Sequence, residues 1–143
     1  LAPALPSHYM KKDIDFGAVE GVSVAVATSA GDTGEPIWNV YLLNNNTFAI
    51  ENVLVASKGY GHIDGNEVKT SVLRHMFERV EAKSFVQVEP IDPAIFHINN
   101  EYWVSYYIDR KIYDKKFVFV PDSIQEENLI EISMLQLQGV LHS

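Results

Sequence analysis

Between Glu101 and Val120 the chain runs as two stretches dense in aromatic and β-branched residues, 101–108 and 111–120, parted only by Asp109-Arg110. A two-residue connection between such stretches predicts an antiparallel hairpin with a tight turn. A hairpin is not stable alone, so the rest of the chain must supply an apolar surface to cover it. Alternation within 101–108 puts Tyr102 and Tyr106 on one face and Trp103 and Tyr107 on the other. A half-exposed sheet cannot bury both sets. One set is core, and the other either packs under the C-terminal tail or presents a binding surface, since Tyr and Trp are favoured at interfaces. Trp103, Tyr107 and Tyr113 are therefore the candidate partner-binding residues.

The remaining segments fit the same architecture. Val22, Val24 and Val26 alternate with small residues in a strand that ends in the turn-prone residues 29–34. Residues 37–43 form a second strand. Three consecutive asparagines, Asn44, Asn45 and Asn46, tolerate the left-handed backbone of a turn. A third strand follows over 50–57, with Val53 and Val55 on one face and Asn52 and Leu54 on the other, so the second and third strands form a hairpin or a sandwich corner. Residues 70–80 are ambiguous: Val72, Leu73, Met76, Phe77 and Val80 match a helical stripe, while alternation also leaves Val72, Met76 and Val80 on one side. A strand is favoured, because 80–84 reads as a turn into another strand at 85–88, with a short helix as the alternative. Ser123 followed by Glu126 has the spacing of a capping box and predicts a short C-terminal helical turn within 121–127. The tail 129–141 is apolar enough to dock. Seven or so short strands without a long helix predict a mainly β fold, a two-layer antiparallel sandwich. Residues 10–143 are expected to form one domain, and 1–9 a leader upstream of a natural start at Met10.

Charge and composition exclude several partners. Nineteen acidic against eleven scattered basic residues give a net charge of -8, which repels phosphate backbones, so no nucleic-acid partner is expected. The chain has no cysteine, hence no disulfide, thiolate nucleophile or thiolate metal site. No apolar run approaches the roughly 18 residues of a membrane span, and the first nine residues lack the basic and apolar regions of a secretory signal, so a cytoplasmic protein is expected. Asn45-Asn46-Thr47 then matches the glycosylation pattern by chance.

Gly59-Tyr60-Gly61-His62-Ile63-Asp64-Gly65 invites comparison with a phosphate loop, but no Lys-Ser/Thr follows it and no βαβ unit surrounds it. It reads as a flexible connection. If the chain binds a small ligand or works as an enzyme, Gly59, Gly61, His62 and Asp64 are its candidate residues. His62 and Asp64 fall short of a metal site, and His8, His75, His97 and His142 are too scattered to complete one. The carboxylate pairs Glu78/Glu81 and Glu126/Glu127 read as solvated faces, and no serine sits in a G-x-S-x-G elbow. No catalytic residue, metal or cofactor is assigned. The chain reads first as a non-enzymatic interaction or structural module that holds a protein partner or its own copy through the aromatic face or an edge strand.

Five stretches carry a resemblance that spans nearly the whole chain after the leader: Met-Lys-Lys-Asp-Ile (10–14), Trp-Asn-Val-Tyr-Leu-Leu-Asn (38–44), Val-Leu-Val-Ala-Ser-Lys-Gly-Tyr (53–60), Lys-Thr-Ser-Val-Leu-Arg-His (69–75) and Ala-Lys-Ser-Phe (82–85). In these the chain resembles a family of short, uncharacterised bacterial proteins, some of which bear the label phenylalanyl-tRNA synthetase α subunit. That family brings no catalytic residues with it. A domain that holds ATP, phenylalanine and a tRNA end is much larger than this chain, so the resemblance implies at most an accessory role in translation. The strand order and the Asn-rich turn are also similar to small immunoglobulin-like modules that assist binding or assembly, a likeness of fold that does not fix function.

Overall fold

A computed structural model describes residues 19–143. The predicted leader 1–9, the start at Met10 and His8 lie outside the described residues. Ten strands follow in order: β1 (Val22–Ala30), β2 (Pro36–Asn44), β3 (Ile50–Ile63), β4 (Asn66–Lys69) and β5 (Leu73–Val80). After them come β6 (Ser84–Pro90), β7 (Asn99–Ile108), β8 (Lys111–Phe119), β9 (Ile130–Ile132) and β10 (Leu137–His142). They build two antiparallel sheets. One has the order β6-β2-β1-β10-β9; in the other, β3 pairs with β7 and β7 with β8, while β5 and β4 share the far side of β3. Among the described residues no helix is long and apolar enough to cross a membrane.

The expected seven strands become ten. Residues 70–80 contain the strand β5 and no helix, and the docked tail contributes β9 and β10, the latter pairing directly with β1. The third addition is β4. The stretch 59–65 is not a flexible connection: β3 runs on to Ile63, and the reversal is confined to Asp64 and Gly65, at φ 52° and 78°. The predicted capping box does not form. Ser123 donates instead to the Val120 carbonyl at 2.7 Å, and the short 3-10 turn Glu126–Asn128 has no side-chain cap.

Strand alternation builds the core. Val22, Val24 and Val26 of β1 and Val40 and Leu42 of β2 face Val53, Val55, Tyr102, Val104, Tyr106 and Phe117 of the second sheet, all buried. Each such side chain contributes about 1.5–3 kcal/mol by leaving water. β1 is buried on its other face as well. There Ala25, Ala27, Tyr41 and Leu43 pack under Ile132 and Leu135 of the C-terminal tail.

The β7–β8 hairpin turns as expected, with Asp109 and Arg110 both left-handed at φ 48° and 68°. That backbone is of type I′, where a side chain with a Cβ is strained. Arg110→Gly is expected to stabilise the protein by about 1 kcal/mol, read as a higher urea midpoint.

The Asn-rich segment works by a different means than its backbone permissiveness. None of Asn44, Asn45 and Asn46 is left-handed; the left-handed asparagine is Asn52, at φ 48°, where β3 bulges against β7. Asn44, wholly buried, donates its amide to the carbonyls of Phe48 (2.9 Å), Glu81 (3.0 Å) and Val80 (3.3 Å), and its oxygen accepts from the Asn46 backbone N–H (3.0 Å). One side chain thus fastens two crossings between the sheets, β2 to β3 and β5 to β6. The segment is a sandwich corner.

Candidate functional site

Two places concentrate chemistry, one on the outside of the second sheet and one between the sheets. On the outside, register aligns Arg74, Ala56, Trp103 and Lys116 in one cross-strand row. The next row holds Met76, Leu54 and Ser105, and Tyr107 stands between Glu51 and Ile112. Trp103 is 50% exposed and Met76 67%, although both sit in regular strands. The indole N–H donates to Asp114 at 3.2 Å, which fixes the ring's polar edge and leaves its apolar body exposed. Beside it a shallow hollow of about 240 Å³ is floored by Ala56 and walled by Val72, Arg74 and Trp103. Lys58 pairs with the buried Glu101 at 3.7 Å, and the Tyr60 hydroxyl donates to the same carboxylate at 3.2 Å. Burial first, then the hydrogen bond and charge of Glu101, raises the Tyr60 phenol above its ordinary value.

The alternation read from sequence separates the tyrosines as expected: Tyr102 and Tyr106 are core, Trp103 and Tyr107 face outward. Tyr113 does not join the outward pair. It lies opposite Tyr106 and stacks on that ring with centroids 5.5 Å apart and planes 10° from parallel, on the core side of the hairpin. Burial, with smaller contributions from Tyr113 and Glu20, pushes the Tyr106 phenol up to about 12.

Between the sheets, on the side where β5 and β6 form the edges, a cleft of about 360 Å³ opens. A bulge shapes it. Opposite β2, Val40 pairs with Glu89 and Tyr41 with Gln87, so Val88 is an extra residue, and beyond it Glu89 comes to the same face as core-facing Val40. A bulge is the usual means of re-aiming one side chain in a sheet. Glu89 Oε1 accepts from Ser57 Oγ at 2.8 Å and from His75 Nε2 at 2.6 Å, joining the two sheets through one carboxylate oxygen. The serine and the histidine both hold the glutamate rather than each other, so the hydroxyl has no imidazole base. Burial, then the Glu89 charge, pushes the Tyr102 phenol far above its ordinary range, so it stays a neutral hydroxyl.

Of the four glycine-loop candidates, only Gly59 lines this cleft. A Cβ on Gly59 would meet Thr70 at 2.9 Å and Ile98 at 3.0 Å, and one on Gly61 would meet Ile98 at 3.2 Å. These glycines admit close packing across the strand instead of cradling an anion. His62 and Asp64 are exposed at the β3–β4 hairpin end, with His62 opposite Glu67. Among the described residues no group of three or more His, Asp or Glu is placed to hold a metal. Sequence reasoning missed Ser57, His75 and Glu89, which are 14 to 32 residues apart and meet only through the bulge. No family model, curated protein or solved structure matches the chain.

Proposed function

We propose that the protein is a non-enzymatic interaction module whose second sheet receives, around Trp103, an acidic segment of a partner protein carrying a bulky apolar anchor. The observation that carries this is the row Arg74–Ala56–Trp103–Lys116. A half-exposed indole over a small neighbour offers a site for an apolar side chain, and exposed apolar surface rimmed by charge is characteristic of docking faces. Arg74 and Lys116 stand on either side of it, and neither has an ion-pair partner among the described residues. An acidic peptide would supply both partners. The net charge of -8 opposes every acidic partner at a distance, so the choice of occupant rests on the local pair Arg74 and Lys116: a short acidic segment that reaches these two meets less of that field than a second whole copy or a nucleic acid, and is the favoured occupant. In the same reading the two antiparallel sheets form an immunoglobulin-like sandwich, a fold that commonly presents sheet faces and edges to partners.

The test is selection from a random peptide display library on the immobilised full chain, followed by calorimetry on the enriched peptides. Acidic peptides with one large apolar residue are expected. Trp103→Ala should weaken them about 30-fold while costing about 1–2 kcal/mol of stability for the buried half of the ring and its hydrogen bond to Asp114, a loss that leaves the chain folded. Arg74→Glu with Lys116→Glu should weaken them about tenfold or more. Peptides that bind the Trp103→Ala protein as well as the parent would overturn the proposal. So would a concentration-dependent dimer lost on Trp103→Ala, or tighter capture of single-stranded RNA at the same face.

A further inference from the structure

The cleft between the sheets opens on the other side of β3 from the aromatic face, sharing only Ser57 and Lys58 with the hollow beside Trp103, and its polar groups are unevenly used. Thr70 Oγ1 accepts from the Gly59 N–H at 2.7 Å and donates to the Ser71 carbonyl at 3.0 Å. The Asn100 amide is spent on the carbonyls of Ile95 and Ile98. Lys58, at the rim, is held by Glu101. Glu89 is different. Both of its protein donors converge on Oε1, and among the described residues none reaches Oε2. Thr28 Oγ1 is the buried side-chain atom left without a partner among those residues, so Glu89 Oε2 reaches solvent, although its side chain is only 11% exposed. A second carboxylate, Asp92, lines the same cleft, while Leu73, Ile91 and Ile95 give it an apolar wall.

We propose that this cleft is a binding site for a small organic cation, a primary ammonium or guanidinium on a short apolar body, with Glu89 as its counter-ion. Ser57 and His75 both engage Oε1, so Oε2 is left at the cleft surface for a charge-assisted hydrogen bond from a ligand cation, with Asp92 adding a second negative charge to the same lining. An anion would meet Glu89 and Asp92 together. A neutral alcohol could accept the geometry but would gain only the weaker, uncharged hydrogen bond. The wall of Leu73, Ile91 and Ile95 favours a ligand whose other end is hydrocarbon.

The experiment is an amide-resolved NMR titration of the full chain with n-butylammonium and n-butylguanidinium, set against 1-butanol and butyrate. A saturable shift of the Ser57, Gly59, Leu73 and Glu89 amides is expected with the two cations at dissociation constants of the order of 1 mM, the range open to ligands of so few atoms. Butanol should bind about tenfold more weakly and butyrate not at all. Glu89→Gln should remove the preference for the cation over butanol. Leu73→Trp, which fills the mouth from a half-exposed position and leaves the carboxylate in place, should abolish binding even if the Glu89 variant does not fold. Equal binding of butanol and butylammonium, cation binding that survives Leu73→Trp, or no saturable shift at about 50 mM cation would each overturn the proposal.

Discussion

Asn44→Asp is expected to lower the stability of the protein by about 4 kcal/mol, a fall of roughly 2 M in the urea midpoint. The substitution changes one atom of a side chain that is wholly buried. Its nitrogen lies 2.9, 3.0 and 3.3 Å from the carbonyl oxygens of Phe48, Glu81 and Val80. An oxygen there offers no proton to any of them and faces three acceptors with a negative charge. Asn44→Ala, which removes the group without introducing charge, should cost less, about 3 kcal/mol, because water can partly replace the lost donor. The aspartate has its own signature. A buried carboxyl with three carbonyl acceptors against one of its oxygens, and Asn46 donors on the other, takes up a proton on the acceptor side more readily in the folded state than in the unfolded one, so its folded pKa is raised. The neutral acid is then favoured on folding, and the stability gap to the parent protein should narrow as pH falls and widen as it rises. A gap independent of pH, or a loss below about 1 kcal/mol, would show that the two crossings are not fastened at Asn44.

How much of this was legible in the sequence divides along a physical line. The β7–β8 hairpin was readable because its signal is local: dense alternation on both sides of a two-residue reversal. So was the separation of Tyr102 and Tyr106 from Trp103 and Tyr107, which follows from the pleat alone. Tyr113 was legible too and was misassigned: a two-residue turn at 109–110 already sets residue 113 opposite residue 106, and opposed residues share a face, so Tyr113 goes with the core set. β5 is an edge strand whose outward residues are exposed, so its apolar pattern is thin enough to fit a helix as well. The glycines at 59 and 61 mislead in the other direction. Glycine is read locally as freedom, whereas here it answers the closeness of Ile98 and Thr70, which lie far along the chain. Glu89 is the extreme case. A strict period of two would turn it away from the core, and only the extra residue at Val88 brings it to Ser57 and His75. Asn44 gave a turn signal of the right place and the wrong mechanism, because its side chain acts on carbonyls more than 30 residues away.

The same distinction between local freedom and distant closeness makes Gly139 the next most costly position to change. Gly139 lies in β10 between β1 and β9, opposite Ala27 on one side and Ile130 on the other. Its φ is not left-handed, so nothing in its own backbone calls for glycine. A Cβ there would stand 2.7 Å from the Val26 carbonyl oxygen, 2.8 Å from Ile132 Cδ1 and 2.9 Å from Ala27 Cβ. The isoleucine methyl can swing aside, but the carbonyl belongs to the core-forming strand and cannot. Gly139→Val should therefore cost about 3 kcal/mol, most of it as strain between β1 and β10. Gly139→Ala should cost less, and pairing it with Ile132→Val should recover part of the loss while the clash with Val26 remains. Gly65→Asn is the control: the position is left-handed at φ 78° with open space around it, and asparagine tolerates that backbone, so stability should change little. Amide exchange separates strain at one seam from a general loosening. If the close approach of β10 to β1 holds the tail in place, Gly139→Val should speed exchange in β9 and β10 beyond what global unfolding accounts for, with β7 and β8 following the global rate. Uniform acceleration across both sheets would mean instead that the tail and the sandwich open as one unit.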